Sequence, residues 1–134
     1  MNVKDLIAKE IIGLHQFFEK WYSAKVDNTS AEFNRLDSVL HKNFELIAPS
    51  GVKVSRLKLL ELLKREYGKF QSSEKFSIVI EDIDYRFIGN EMCLVTYKEI
   101  GNSEDGPKNS LITAAFRRNS DLINNVEWLH IHET

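Results

Sequence analysis

Apolar residues recur at intervals of three and four near the start of the chain. Val3, Ile7, Ile11, Leu14, Phe18 and Trp21 fall on one face of a helix. The pattern predicts a helix over residues 3–27. Asn2 is placed to cap it, because its side-chain oxygen can accept an orphan backbone N–H. Leu6, Ile12, Phe17 and Tyr22 widen the stripe, so this helix is expected to pack on more than one side. Asp27-Asn28-Thr29 supplies the turn formers that end it. Thr29 and Glu32 have capping-box spacing, with Ser30 as the alternative cap. Phe33, Leu36, Val39 and Leu40 then predict a second helix through His41.

The period changes at Asn43. Phe44, Leu46 and Ala48 alternate with their neighbours as in a strand. Pro49-Ser50-Gly51 reads as a turn and Val52 and Val54 alternate after it, so residues 43–54 form a small hairpin. Ser55 caps a third helix with Leu57, Leu60, Leu63 and Tyr67 on its face, running to about Lys69. Gly68 is the stop signal. From Glu74 the chain turns to β. Phe76, Ile78 and Ile80 alternate, but the next apolar residues are Ile83, Tyr85 and Phe87. The odd step from 80 to 83 requires one extra residue near Glu81-Asp82, which is a β-bulge, and bulges bend sheets. Strands are then expected over residues 91–100, 109–118 and 123–133, with a polar loop over 101–107. Helices segregated from a meander of strands define an α+β fold. A bent sheet wrapped on three helices encloses a conical cavity of the kind that binds small ligands.

With 134 residues, the chain fits one domain, residues 1–134. Hydrophobic residues make up 43% and charged residues 28%, which rules out wholesale disorder. Eighteen basic against 20 acidic residues lack the footprint of a nucleic-acid binder. Cys93 is the one cysteine, so neither a disulfide framework nor a four-cysteine zinc site is available. The first residues lack the apolar core of a signal peptide, and no run is long enough to span a bilayer. A cytoplasmic location follows as an expectation.

Two segments carry a family resemblance. One is residues 43–56, with Phe44, the Pro49-Ser50-Gly51 turn and Ser55-Arg56. The other is Phe116-Arg117-Arg118 followed by Val126-Glu127-Trp128-Leu129-His130-Ile131-His132-Glu133-Thr134. Together they resemble the nuclear transport factor 2-like (SnoaL-like) superfamily with its cystatin-like cone, in the domain-of-unknown-function 4440 branch. The His-x-His close is also similar to the association domain of calcium/calmodulin-dependent kinase II. In that domain an arginine follows the histidines. Glu133 stands there instead, which argues against an anionic ligand. Ketosteroid isomerase-like members use a tyrosine and two acids in an apolar pocket. Tyr22 is available, but neither acid is matched. The resemblance implies a homodimer through sheet faces.

The last strand holds the main chemistry. Period two places Val126, Trp128, His130 and His132 on one face and Leu129, Ile131 and Glu133 on the other. Two imidazoles on one face can ligate a metal or move a proton near neutral pH. No third ligand has a telling spacing, so no metal or other cofactor is expected. If the protein is an enzyme, His130 or His132 carries the proton during isomerisation, dehydration or cyclisation of a carbonyl compound. The plain alternative for the histidines is a hydrogen-bonded sheet face or subunit interface, and the alternative for the whole chain is a ligand-free protein-assembly module, which a cavity filled by side chains would favour. Alternation leaves open which face lines the cavity. The candidate ligand-binding set is Trp21, Tyr22, Tyr97 and Trp128, with His130, His132 and Glu133. Ordinary core packing is the competing reading for its aromatic members. Arg56 and the pair Arg117-Arg118 read as surface residues, and Cys93 as a small buried hydrophobe. The expected partners are a second copy of the chain and a small apolar or carbonyl ligand.

Overall fold

In the computed structural model, which describes residues 2–134, helix α1 (Val3–Tyr22) starts where Asn2 accepts the Asp5 amide at 2.9 Å. Its stripe is buried: Ile7, Ile11, Leu14 and Trp21 are at most 1% exposed. The helix stops at Tyr22, earlier than the residue 27 expected. Ala24 adopts a positive φ of 56°. The Lys25 amide then reaches back to the Lys20 carbonyl at 2.8 Å, and the Ala24 amide to that of Trp21 at 3.2 Å. This is a Schellman close, formed here without its usual glycine.

Helix α2 (Ser30–Asp37) is capped by Thr29, whose hydroxyl accepts the Glu32 amide at 3.2 Å. It also ends sooner than its apolar pattern predicts. Val39 and Leu40 leave the helix for the sheet, where the Val39 carbonyl takes the Trp128 amide at 2.8 Å. Strand β1 (Leu40–Ile47) pairs antiparallel with β2 (Lys53–Ser55) across the expected turn, with Gly51 at φ 88°. Helix α3 (Arg56–Arg65) follows, capped by Ser55, and gives way to turns before residue 69. Arg56 is a strut and not a free surface residue. Its guanidinium donates to the Asp37 carbonyl at 2.7 Å, to Asp37 Oδ1 at 2.6 Å and to the Leu40 carbonyl at 3.3 Å.

Four strands complete the chain: β3 (Ser77–Ile88), β4 (Met92–Ser103), β5 (Gly106–Arg118) and β6 (Val126–Glu133). The expected loop over 101–107 is a tight hairpin, because Ser103 pairs with Gly106. The sheet order is β2-β1-β6-β5-β4-β3, and β1 runs parallel to β6 while the other neighbours are antiparallel. The register slips between Glu81 and Asp84, and Asp82 has a φ of 55°, so the bulge falls where the odd apolar step placed it. A second slip was not anticipated. Ala115 pairs with His130 but Phe116 pairs with Trp128, leaving Leu129 as an extra residue in β6. The helices pack on one side of this curved, mostly antiparallel sheet, in an α+β cystatin-like arrangement.

Candidate functional site

Register brings the site together. Tyr97 on β4 pairs with Ile112 on β5, and Ile112 pairs with Glu133 on β6. Paired residues project from the same face, and so does a residue two positions along, so Glu99 joins them. From the helical side come Leu14, His15, Phe18 and Tyr22 on α1, and Leu59, Leu62 and Leu63 on α3 with Glu66 just beyond it. These groups enclose a cavity of about 290 Å³. Leu36, Phe44, Leu46, Ile112 and Ile131 continue its apolar wall. A more open hollow of about 200 Å³ shares Tyr22, Ile78, Glu99 and Glu133 with the cavity and adds Phe70, Phe76 and Lys108.

The polar groups sit against this apolar wall, and burial shifts His15, Glu99, Glu133, Tyr22 and Tyr97. The His15 Nδ1 lies 2.8 Å from the Ile11 carbonyl. A carbonyl only accepts, so that nitrogen carries the hydrogen and Nε2 presents a bare lone pair. Burial lowers the His15 pKa to about 4, against smaller opposing effects of the Ile11 bond and Glu10. Nε2 is 3.5 Å from Glu99 Oε1. That is ion-pair distance, but a neutral imidazole makes no ion pair. Burial pushes the Glu99 carboxyl up, with Lys108 pulling the other way. Burial and then the Glu99 charge raise Glu133, again opposed by Lys108. The Tyr22 and Tyr97 phenols are raised by burial first and by the nearby carboxylates second. Among the described residues, the Tyr97 hydroxyl is a buried side-chain polar atom with no hydrogen-bond partner.

Of the residues singled out from sequence, Tyr22, Tyr97 and Glu133 line the cavity. Trp21 does not. It is core, stacked on Phe17 with ring centroids 5.6 Å apart, and its Nε1 donates to the Leu63 carbonyl at 2.7 Å. Trp128 is fully buried and donates from Nε1 to Glu10 at 2.8 Å. His130 and His132 lie on the opposite, outer face, across from Ala115 and Thr113 of β5, and His132 is exposed. The expectation that Trp128 shares a face with the histidines is corrected. The extra residue Leu129 reverses the phase, so Trp128 and Ile131 both point inward. The proton carrier assigned to His130 or His132 therefore lies outside the cavity. The polar groups found there include His15, Glu66 and Glu99, which sequence reasoning missed. A signal existed for Glu99, since Cys93, Val95 and Tyr97 lead to it at period two and are buried.

A family model described as sucrose-6-phosphate phosphohydrolase C-terminal matches residues 7–134. Two curated proteins of Nicotiana tabacum, sucrose-phosphatase 2 and sucrose-phosphatase 1, are each 23% identical over 128 residues. The match covers 95% of this chain but 30% of theirs, so the chain spans less than a third of their length. A nuclear transport factor 2-like protein of unknown function from Pseudomonas aeruginosa superposes with a TM-score of 0.83 at 21% identity, covering 96% of this chain and 97% of that one. A ketosteroid isomerase-like protein from Shewanella frigidimarina gives a TM-score of 0.69 at 10% identity, over 99% of this chain and 98% of that one. The association domain of calcium/calmodulin-dependent kinase II from C. elegans gives 0.64 at 11% identity, over 95% and 94%. At these identities the structural likeness establishes the nuclear transport factor 2-like fold.

Proposed function

The chain belongs to the sucrose-6-phosphate phosphohydrolase C-terminal family, and from that premise we propose that it is a single binding module whose cavity holds a small, mostly apolar molecule. The Tyr97 hydroxyl carries this reading: it is buried and unpartnered on the wall of an apolar cavity of about 290 Å³. An unsatisfied buried polar group costs roughly 1–3 kcal/mol, which a ligand atom bonded to it would recover. Phosphoester hydrolysis, suggested by the relatives' name, is not assigned to this cavity. Phosphate is gripped by guanidinium, ammonium or backbone N–H groups, whereas the acidic lining here repels it. Titration with 1-octanol, followed by backbone amide shifts in NMR, is expected to saturate and to move residues around Tyr97 and Ile112. Ala48→Phe, which places a ring at the cavity wall, is expected to abolish those shifts. Unchanged spectra in the wild-type chain would refute the reading.

The module is further proposed to act as a homodimer in the cytoplasm. Val79 and Leu111, 44% and 50% exposed, stand on the outer sheet face and support self-association. So does the fold's likeness to an association domain. The buried, unpaired Cys93 supports a reducing compartment. The domain-of-unknown-function 4440 branch that residues 43–56 resemble is kept as a finer affinity within the same fold. No helix of the described residues is long and apolar enough to cross a membrane.

One observation favours a second reading as an acid–base enzyme acting on carbonyl compounds. A half-buried carboxyl with a raised pKa, Glu99, sits beside the neutral His15 in a cavity walled mostly by apolar side chains, an arrangement suited to proton transfer. Glu99 would be the acid–base group. The test is deuterium exchange α to the carbonyl of cyclohexanone, catalysed by the wild-type chain and lost in Glu99→Gln. Exchange no faster than in buffer would dismiss it.

A further inference from the structure

The polar lining of the cavity is one-sided. Glu99 and Glu133 bring carboxyl groups and His15 brings the lone pair of Nε2; Glu66 is already ion-paired with Lys69, and among the described residues no Lys or Arg lines the cavity. Lys108 is exposed and belongs to the neighbouring open hollow. Tyr97, 1% exposed, adds a hydroxyl with no partner on the same wall. Register puts Tyr97 and Glu133 on adjacent inward positions through Ile112, with Glu99 two residues on from Tyr97. Acceptors therefore converge at one end of an apolar chamber, and apart from phenol hydroxyls no donor lines it among the described residues.

The donor is better supplied by an organic group than by a metal. Among the described residues, no three His, Cys, Asp or Glu side chains are grouped to hold a metal ion. Cavity size limits the remainder of the ligand: about 290 Å³ is room for roughly ten waters at ~30 Å³ each. We propose that the cavity selects an amphiphilic amine, with a short apolar body against Leu14, Leu62 and Ile131 and an ammonium that donates to Glu99, Glu133 and the Tyr97 oxygen. The proposal rests on the cavity being a ligand site and narrows that reading to one chemical class. Burial raises both carboxyls, and a cation seated between them would offset that penalty.

Three probes of matched length separate the two claims: octylamine, 1-octanol and octanoate, each titrated by calorimetry at fixed pH and ionic strength. The amine is expected to bind at least roughly tenfold more tightly than the alcohol, and octanoate most weakly. Glu133→Gln and, separately, Glu99→Gln are expected to erase the amine's advantage over octanol. Octanol binding as tightly as octylamine, or octanoate binding best, overturns the amine assignment and leaves the apolar site standing. No binding of any probe overturns both. An amine preference that persists in both variants places the attraction on the protein surface and overturns the assignment.

Discussion

Glu10 is a carboxylate with no exposed surface, and its environment is complete. Arg35 donates from Nη1 and Nη2 at 3.0 Å each, Asn124 at 2.9 Å and Trp128 at 2.8 Å. Helix α1, helix α2, the loop before β6 and β6 itself all meet on this side chain. Glu10→Ala would leave a guanidinium, an amide and an indole N–H without their acceptor. We expect a loss of about 3–5 kcal/mol in urea unfolding, and a smaller loss for Glu10→Gln, which keeps one acceptor oxygen. His15 gives a pH prediction. Its folded pKa of about 4 lies below the ordinary imidazole value of 6.5, so the unfolded chain takes up the proton first. The stabilisation is full above pH 6.5 and is lost as pH falls towards 4. It amounts to about 3 kcal/mol. Glu99 and Glu133, raised by burial, act with the opposite sign, so the comparison isolates His15: relative to His15→Leu, the wild-type chain is expected to lose about that amount between pH 7 and 4. Glu10 was absent from the sequence reading because an acid inside an apolar stripe reveals its burial only through partners far along the chain.

At the scale of elements, the apolar periodicity located every helix and strand, and the errors were of extent. Helix α1 overran in prediction because Ala24 carries no mark of a helix stop, unlike the glycine usual at such a position. Ala24→Gly removes a left-handed strain and is expected to raise stability by about 0.5–1 kcal/mol, measured by thermal unfolding. Helix α2 overran because Val39 and Leu40 suit a strand as well as a helix, and pairing with β6 decided between them. The bulge in β3 was legible because Ile80 and Ile83 are both apolar and an odd number of residues apart. The same odd step, Trp128 to Ile131, lies in β6. It went unread because His130 and His132 kept the opposite alternation intact, and a polar pair at period two outweighed one tryptophan. Leu129 thus determined where both histidines point. Its deletion is expected to leave Trp128, Ile131 and Glu133 inward and both imidazoles outward in a regular strand, with the near-ultraviolet circular dichroism of the folded state retained.

For the molecule as a whole, the cone, the curved sheet and the three helices were legible, because they follow from element order and one phase change. The composition of the cavity was not, since it depends on how β4, β5 and β6 align. Register is set by pairing between distant segments. The outer sheet face carries the dimer proposal. Leu111→Asp puts a charge on that face and is expected to convert a dimer to monomer in sedimentation equilibrium, with the helical circular dichroism signal unchanged. A monomeric wild-type chain at micromolar concentration would end that proposal.

The parallel pairing of β1 with β6 also bears on how the chain is made. Ribosomes deliver residues in order, and Leu40 emerges long before its neighbour Trp128. Until the final segment arrives, the early hairpin has an open edge, Val39 lacks the amide that its carbonyl will accept, and Glu10 waits for the indole. Closing a loop of that length is slow. The segment carrying β1 therefore keeps an unpaired sheet edge until β6 has been made.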